Sequence, residues 1–363
     1  MTITEPAISA TISGSLAETL RRSARLERRI AEDPGSFRIL TGDRPTGHLH
    51  LGHYFGTLRN RVRLQDAGAE LYVVIADYQV LTDRAVAARL GEYVTGLVLD
   101  YLSIGIDPGR ATIFAHSAVS ELNQLLLPFL SLVTTSELQR NPTVKDEIAQ
   151  LSTQVNALMF TYPVHQAADI LFCRGNLVPV GQDQLPHIEV TRLIARRFNE
   201  RYPRADGSGI FPEPDALLSD APLLLGTDGV KMSKSRGNTI ALCASADETA
   251  RLLRSARTDS VRHVSYDPVH RPEVSSLVLL TSLCLGRDPV AVADEIGGGG
   301  AAALKAAATE AVNERFAPVR ARRTELAADP GYVRQVLREG CARAGEVAAA
   351  TLHEVRDAMG MRY

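Results

Sequence analysis

The chain has 363 residues, 45% of them hydrophobic, with a formal net charge of −2. That is length for one large domain plus a smaller one, and a charge so close to balance that a nucleic-acid partner would need a local basic patch. Four scattered cysteines (Cys173, Cys243, Cys284 and Cys341) form no CxxC pair, which argues against a zinc ribbon or disulfide frame and fits a reducing cytoplasm. No basic-then-apolar leader is visible, and no apolar run approaches the ~20 residues of a membrane helix.

Residues 1–36 read as a polar extension, and the spacing of Leu16, Leu20, Leu26 and Ile30 predicts a solvated or loosely docked helix. "SFRILTG" reads as a first strand, followed by a Pro/Gly turn and a helix over "LGHYFGTLRNRVRLQDAG". "ELYVVIAD" predicts a second parallel strand ending at Asp77, where Asp77 and Gln79 are candidate pocket residues. A helix over 86–104, a strand at "ATIFAH", a helical "SELNQLLLPFLSLV" and a strand at "LVPV" come next. This alternation predicts a doubly wound, Rossmann-like parallel sheet over 37–239 that binds ligands beyond the carboxyl ends of its strands. From residue 240 to 363 strand-like runs disappear, and Ala-, Leu- and Arg-rich stretches predict a helical domain. It is interrupted by Gly297–Gly300, read as a flexible loop. No strand precedes those glycines and no Lys-Ser/Thr comes after them, so they are no phosphate loop.

Two stretches carry the chemistry. "PTGHLHLGHYFG" packs His48, His50 and His53 around Gly47 and Gly52. If a helix starts near Leu51, His50 and His53 lie on one side of its first turn, beside unpaired backbone N–H groups. Such donors suit polyphosphate, and Gly52 would let phosphates approach the backbone. A metal site and plain turn-filling are the alternatives. "GTDGVKMSKSRGNT" sets Lys231 and Lys234 in a small loop with Gly226, Gly229 and Gly237. A solvated basic loop is the plain reading, and transient capture of a leaving pyrophosphate is the functional one. Asp169, within the apolar "QAADIL", is costly there unless paired or used. Asp183 after "PVG" could cap a helix, and His165 and His187 read as satisfied polar fillers.

"HLGH" at 50–53 with "KMSKS" at 231–235 resembles the paired signatures of class I aminoacyl-tRNA synthetases. "TTSELQRNPTVKDE", "YPVHQAADILFCRGNLVPVGQDQLPHIEVTRLIARRFN" and "TDSVRHVSYDPVHRPEVSSL" resemble the tryptophanyl-tRNA synthetase family. The resemblance covers the chain from about residue 38 onward and implies tryptophan–tRNA ligation with ATP and Mg²⁺ in a cytoplasmic homodimer. It implies that His50, His53, Lys231 and Lys234 act on the phosphates. ATP would also meet Gly42, Arg44, Gly52, Gly56, Gly181, Asp183, Met232 and Ser233. Tyr162, Gln166, Asp169 and Gln184 would hold tryptophan, with Asp169 accepting the indole N–H. The helical domain would read tRNA(Trp), with Arg251, Arg254 and Arg257 near its start. Gln166 stands where many tryptophan enzymes carry Met, and a Gln-x-x-Asp pair also occurs in tyrosine enzymes. A tyrosyl-tRNA synthetase, a small-molecule nucleotidyltransferase and a non-catalytic RNA-binding paralogue therefore stay open as alternatives.

Overall fold

The computed structural model describes residues 21–82, 88–150, 156–218 and 224–363. Leu16, Leu20 and the predicted helix start at Val86 lie outside them. Five strands form one parallel sheet in the order β3-β2-β1-β4-β5: β1 (Arg38–Asp43), β2 (Glu70–Ile75), β3 (Ala111–Ala115), β4 (Leu177–Val180) and β5 (Asp215–Leu218). β5 was not read from the sequence: its four residues begin with Asp215 and follow the proline-rich "FPEP", where β4 is the wholly apolar "LVPV". Ile39, Val73, Ile75 and Ile113 face one core, while Leu40, Tyr72, Val74 and Phe114 face the other. A sheet buried on both faces explains why its strands read as near-continuous apolar runs.

One face is covered by α1 (21–32), α2 and α3 (Leu90–Ser103), the other by α4 (Ala157–Leu171) and α5 (Leu185–Arg201). The α1 helix is docked rather than solvated. Leu26 and Ile30 are 2% and 1% exposed, Ser23 Oγ accepts the Leu218 N–H at 3.0 Å, and Arg22 pairs with Asp215. Helix α2 runs through Leu51–His53, a π turn at Tyr54–Leu58 and Arg59–Ala67. It stops at Gly68, whose left-handed φ of 107° closes the last turn.

The later helices include α6 (Ala246–Ser255), α7 (Pro272–Leu285), α8 (Gly300–Ala327) and α9 (Pro330–Ala358), with a short helix at Pro289–Ile296 between α7 and α8. They do not stand apart from the sheet. Val333 and Val336 of α9 join the first core, and Ala344, Ala348 and Leu352 join the second. A Cβ on Gly340 would fall 1.9 Å from the Ile113 carbonyl oxygen, so glycine lets α9 lie directly on β3 and cover the edge of the sheet. The tetraglycine is an ordered connection: Gly297–Gly299 form a tight turn, Gly297 O accepts the Val264 N–H at 2.8 Å, and Gly300 opens α8.

Candidate active site

The carboxyl ends of β1, β2, β3 and β4 deliver Asp43, Asp77, His116 and Gly181 to one rim of the sheet. Beyond β1 the chain turns and starts α2 at His50, which is extended (φ −131°, ψ 172°). The His50 N–H donates to His53 Nδ1 at 3.2 Å, and the two ring centroids are 3.7 Å apart. Because His53 Nδ1 accepts, its proton sits on Nε2, which becomes the free donor. Burial, together with the neighbouring His53 and Lys234, lowers His50 to about 3. Burial lowers His53 to about 4 against the pull of Asp43, with smaller lowering contributions from Lys234 and Arg61. Both rings are therefore neutral N–H donors at neutral pH. A Cβ on Gly52 would crowd the His50 ring at 3.0 Å, a close approach that sequence reading did not supply.

Beneath this turn lies a buried polar group. Arg61 Nη1 donates to Asp43 Oδ2 at 2.5 Å, Tyr101 OH donates to the same oxygen at 2.7 Å, and Arg61 Nη2 donates to Gly42 O at 3.1 Å. Burial alone would raise the Asp43 carboxyl, but Arg61 overrides it and holds Asp43 at about 2. Gly42 serves the strand pairing, since a Cβ would collide with Val74 O at 2.1 Å. Gly56 faces open space, and Arg44 is exposed on the turn.

The second motif is brought onto the first. Residue 241 bridges His50 in antiparallel fashion, Leu51 N–H donates to Ile240 O at 3.0 Å, and Leu242 N–H donates to Leu49 O at 2.9 Å. Lys234 Nζ then reaches over the turn, donating to Gly47 O at 2.9 Å and Thr46 Oγ1 at 3.3 Å. Burial lowers the Lys234 ammonium from its ordinary value, against the pull of Asp43 and Asp100. Met232 is buried at 7%, Ser233 is half-buried and Lys231 is exposed. Asn238 staples the loop: its Oδ1 accepts the Ser233 N–H at 2.8 Å, and its Nδ2 donates to Asp228 Oδ1 at 2.7 Å.

Helix α4 presents Tyr162, Gln166 and Asp169 at helical spacing along one side. Asp169 is 2% exposed and lies 2.9 Å from His116 Nε2. Tyr162 OH meets His187 Nε2 at 3.1 Å, and Asn141 Nδ2 approaches His187 Nδ1 at 3.4 Å, so His187 is a satisfied support for the tyrosine. Likewise His165 Nε2 meets Asn123 Oδ1 at 2.8 Å. After β4, the Gln182–Gln184 turn carries Asp183, which accepts from Gln184 Nε2 at 3.1 Å. Asp183 does not cap α5, whose N-cap position is Gln184.

Residues 32–317 match the family described as tRNA synthetases class I (W and Y). The chain belongs to that family. This synthetase is 44% identical over 333 residues to a tryptophan–tRNA ligase of Treponema pallidum (strain Nichols), covering 89% of this chain and 97% of the relative. It is 42% identical over 339 residues to the tryptophan–tRNA ligase of Streptococcus pyogenes serotype M1, covering 90% and 98%. Its fold matches a solved tryptophanyl-tRNA synthetase of Campylobacter jejuni, complexed with ADP and tryptophan, at a TM-score of 0.77 and 30% identity, over 89% of this chain and 100% of that one.

Four residues of the synthetase escaped sequence reading. Asn238 sits in "RGNT", an unremarked turn. Asp100 is fully buried and ties Leu49 N–H (3.4 Å) to Arg323 Nε (2.7 Å). Arg61 looks like one more polar helix position. His116 ends "ATIFAH", and only its place at the strand's carboxyl end could have marked it.

Proposed function

We propose that the chain activates L-tryptophan with ATP and transfers it to tRNA(Trp). The observation that carries this reading is that Lys234 is tied to Thr46 and Gly47, just ahead of the His50–His53 turn, while a buried Asp169 lies at the same sheet rim. In the first step the tryptophan carboxylate attacks the α-phosphorus of ATP, pyrophosphate leaves, and tryptophanyl-adenylate stays bound. The terminal adenosine hydroxyl of tRNA then attacks the acyl carbon and releases AMP. No protein nucleophile is needed, so catalysis is positioning plus stabilisation of charge on phosphate oxygens. Neutral His50 and His53 donate N–H bonds, and Lys231 and Lys234 supply cations to the departing pyrophosphate. Mg²⁺ enters with ATP. The triphosphate would carry the ion, while Asp43 is committed to Arg61 and Tyr101.

Tyr162, Gln166 and Gln184 hold the amino acid, and Asp169 accepts the indole N–H. Gly42, Arg44, Gly52, Gly56, Gly181, Asp183, Met232 and Ser233 frame the nucleotide. Residues 37–239 form the catalytic unit and 240–363 the tRNA-reading unit, where Arg251, Arg254 and Arg257 are exposed. The chain works as a cytoplasmic homodimer in the same reading; among the described residues no single helix is long and apolar enough to cross a membrane. Amino-acid-dependent exchange of labelled pyrophosphate into ATP, run with each of the twenty amino acids, tests the function. Tryptophan alone should respond. A tyrosine response would move the assignment to tyrosine, and silence with all twenty would leave a small-molecule nucleotidyltransferase or a non-catalytic paralogue.

A further inference from the structure

In the proposed function Asp169 receives the indole N–H, and the role of its neighbour His116 rests on that reading. A buried carboxylate is costly unless a counter-charge or donors reach it. Among the described residues, the ion pair to Asp169 comes from His116, which is 0% exposed. The contact of 2.9 Å is an ion-pair distance with poor hydrogen-bond alignment, and neither His116 nitrogen nor Asp169 Oδ1 makes an aligned bond to another protein group.

The position of His116 is built from several sides. It comes directly after β3, in the His116–Ala118 turn. Its carbonyl accepts from Asn123 Nδ2 at 2.8 Å. The next residue, Ser117, is tied to Asp77 through its N–H at 3.1 Å and through its hydroxyl. The imidazole packs against His165, with centroids 4.6 Å apart, and Tyr78, at 6.3 Å. His165 points its Nε2 at Asn123 instead. The scaffold thus aims one imidazole at one oxygen of Asp169.

We propose that His116 is a positioning residue for amino-acid selection: it holds Asp169 as an oriented acceptor, so that the pocket demands a ring N–H. Burial lowers the His116 ring, but Asp169 and Asp77 outweigh it and leave the ring raised from its ordinary value. Without His116, Asp169 Oδ1 has no other protein group to fix its direction, and the pocket no longer insists on a ring N–H.

The test compares pyrophosphate exchange with L-tryptophan and with β-(3-benzothienyl)-L-alanine, in which sulfur replaces the ring N–H. A site built for that donor should prefer tryptophan by kcat/KM on the order of 10⁴. His116→Leu should cut this preference at least tenfold through a raised KM for tryptophan, with the KM for ATP unchanged. His116→Gln, which restores a neutral donor, should recover part of it. If the leucine variant does not fold, His116→Ala takes its place. A preference unchanged in both the Leu (or Ala) and Gln variants would overturn the proposal. So would a preference that vanishes when wild-type enzyme is treated with EDTA and returns with Zn²⁺, because His116, His165 and Asp169 offer ligand atoms within 4.8 Å of one another. Asp169→Ala separates the two levels. If it abolishes the preference while His116 variants keep it, only the role of His116 fails; if it too leaves the preference intact, the reading of Asp169 fails.

Discussion

His53→Ala removes one neutral donor from the phosphate site and one acceptor from the start of α2. The two losses have different readouts. Loss of a single preorganised donor to a developing oxyanion costs about 10²–10³ in kcat, or about 2.7–4 kcal/mol of transition-state stabilisation. Loss of the acceptor leaves the His50 N–H, now bonded to His53 Nδ1 at 3.2 Å, without its partner, at about 1 kcal/mol of stability. His53→Gln distinguishes the two effects. Glutamine at the third helical position can reach back to the N-cap N–H, so stability should recover while kcat stays low. The assay is tryptophan-dependent pyrophosphate exchange at saturating and limiting ATP, beside urea unfolding of all three proteins. A raised KM for ATP with kcat intact, or full kcat in His53→Gln, would refute the assignment of His53 Nε2 to the transition state.

Arg61→Met would strand Asp43 next to Tyr101, and breaking such a buried pair should cost about 3–5 kcal/mol by urea unfolding; a loss below about 1 kcal/mol would show that water reaches the site. Asn238→Ala should lower kcat more than stability, because the Ser233 N–H and the Lys231 carbonyl lose their common anchor; equal kcat would show that the loop holds itself. Stability should fall between pH 7 and pH 5. His50, His53 and His187 are held at about 3, 4 and 4, below the ordinary 6.5, so the unfolded chain takes up protons first as pH drops through that window. Asp43, at about 2, extends the loss to lower pH. His116 is raised and acts in the opposite sense, adding stability that is lost as pH rises. A urea midpoint that holds or climbs from pH 7 to pH 5 would contradict this balance.

Strands β1 to β4 and the main helices of the sheet were legible because burial on both faces writes continuous apolar runs, and because Gly68 and the Pro/Gly turn punctuate them. β5 was not, and the choice between a solvated and a docked α1 stayed open because its two buried positions, Leu26 and Ile30, sit among charges. The paired motifs were legible as residue types. The reasons for their glycines were not, since Gly42 answers to Val74 and Gly340 to Ile113 across strand and helix contacts.

By itself the sequence determined the local donors: two imidazoles at the start of a helix, two ammonium groups in a glycine-flanked loop, and one carboxylate in an apolar helix. These arise from short-range rules of turns, helix ends and burial cost. Only the tertiary structure decided that they share a rim. Lys234 bonds to Thr46 across 188 positions of chain, and His116 meets Asp169 because β3 and α4 converge there. No local pattern encodes such meetings, since they depend on the order of strands in the sheet and on which side chains are left to pair once water is excluded.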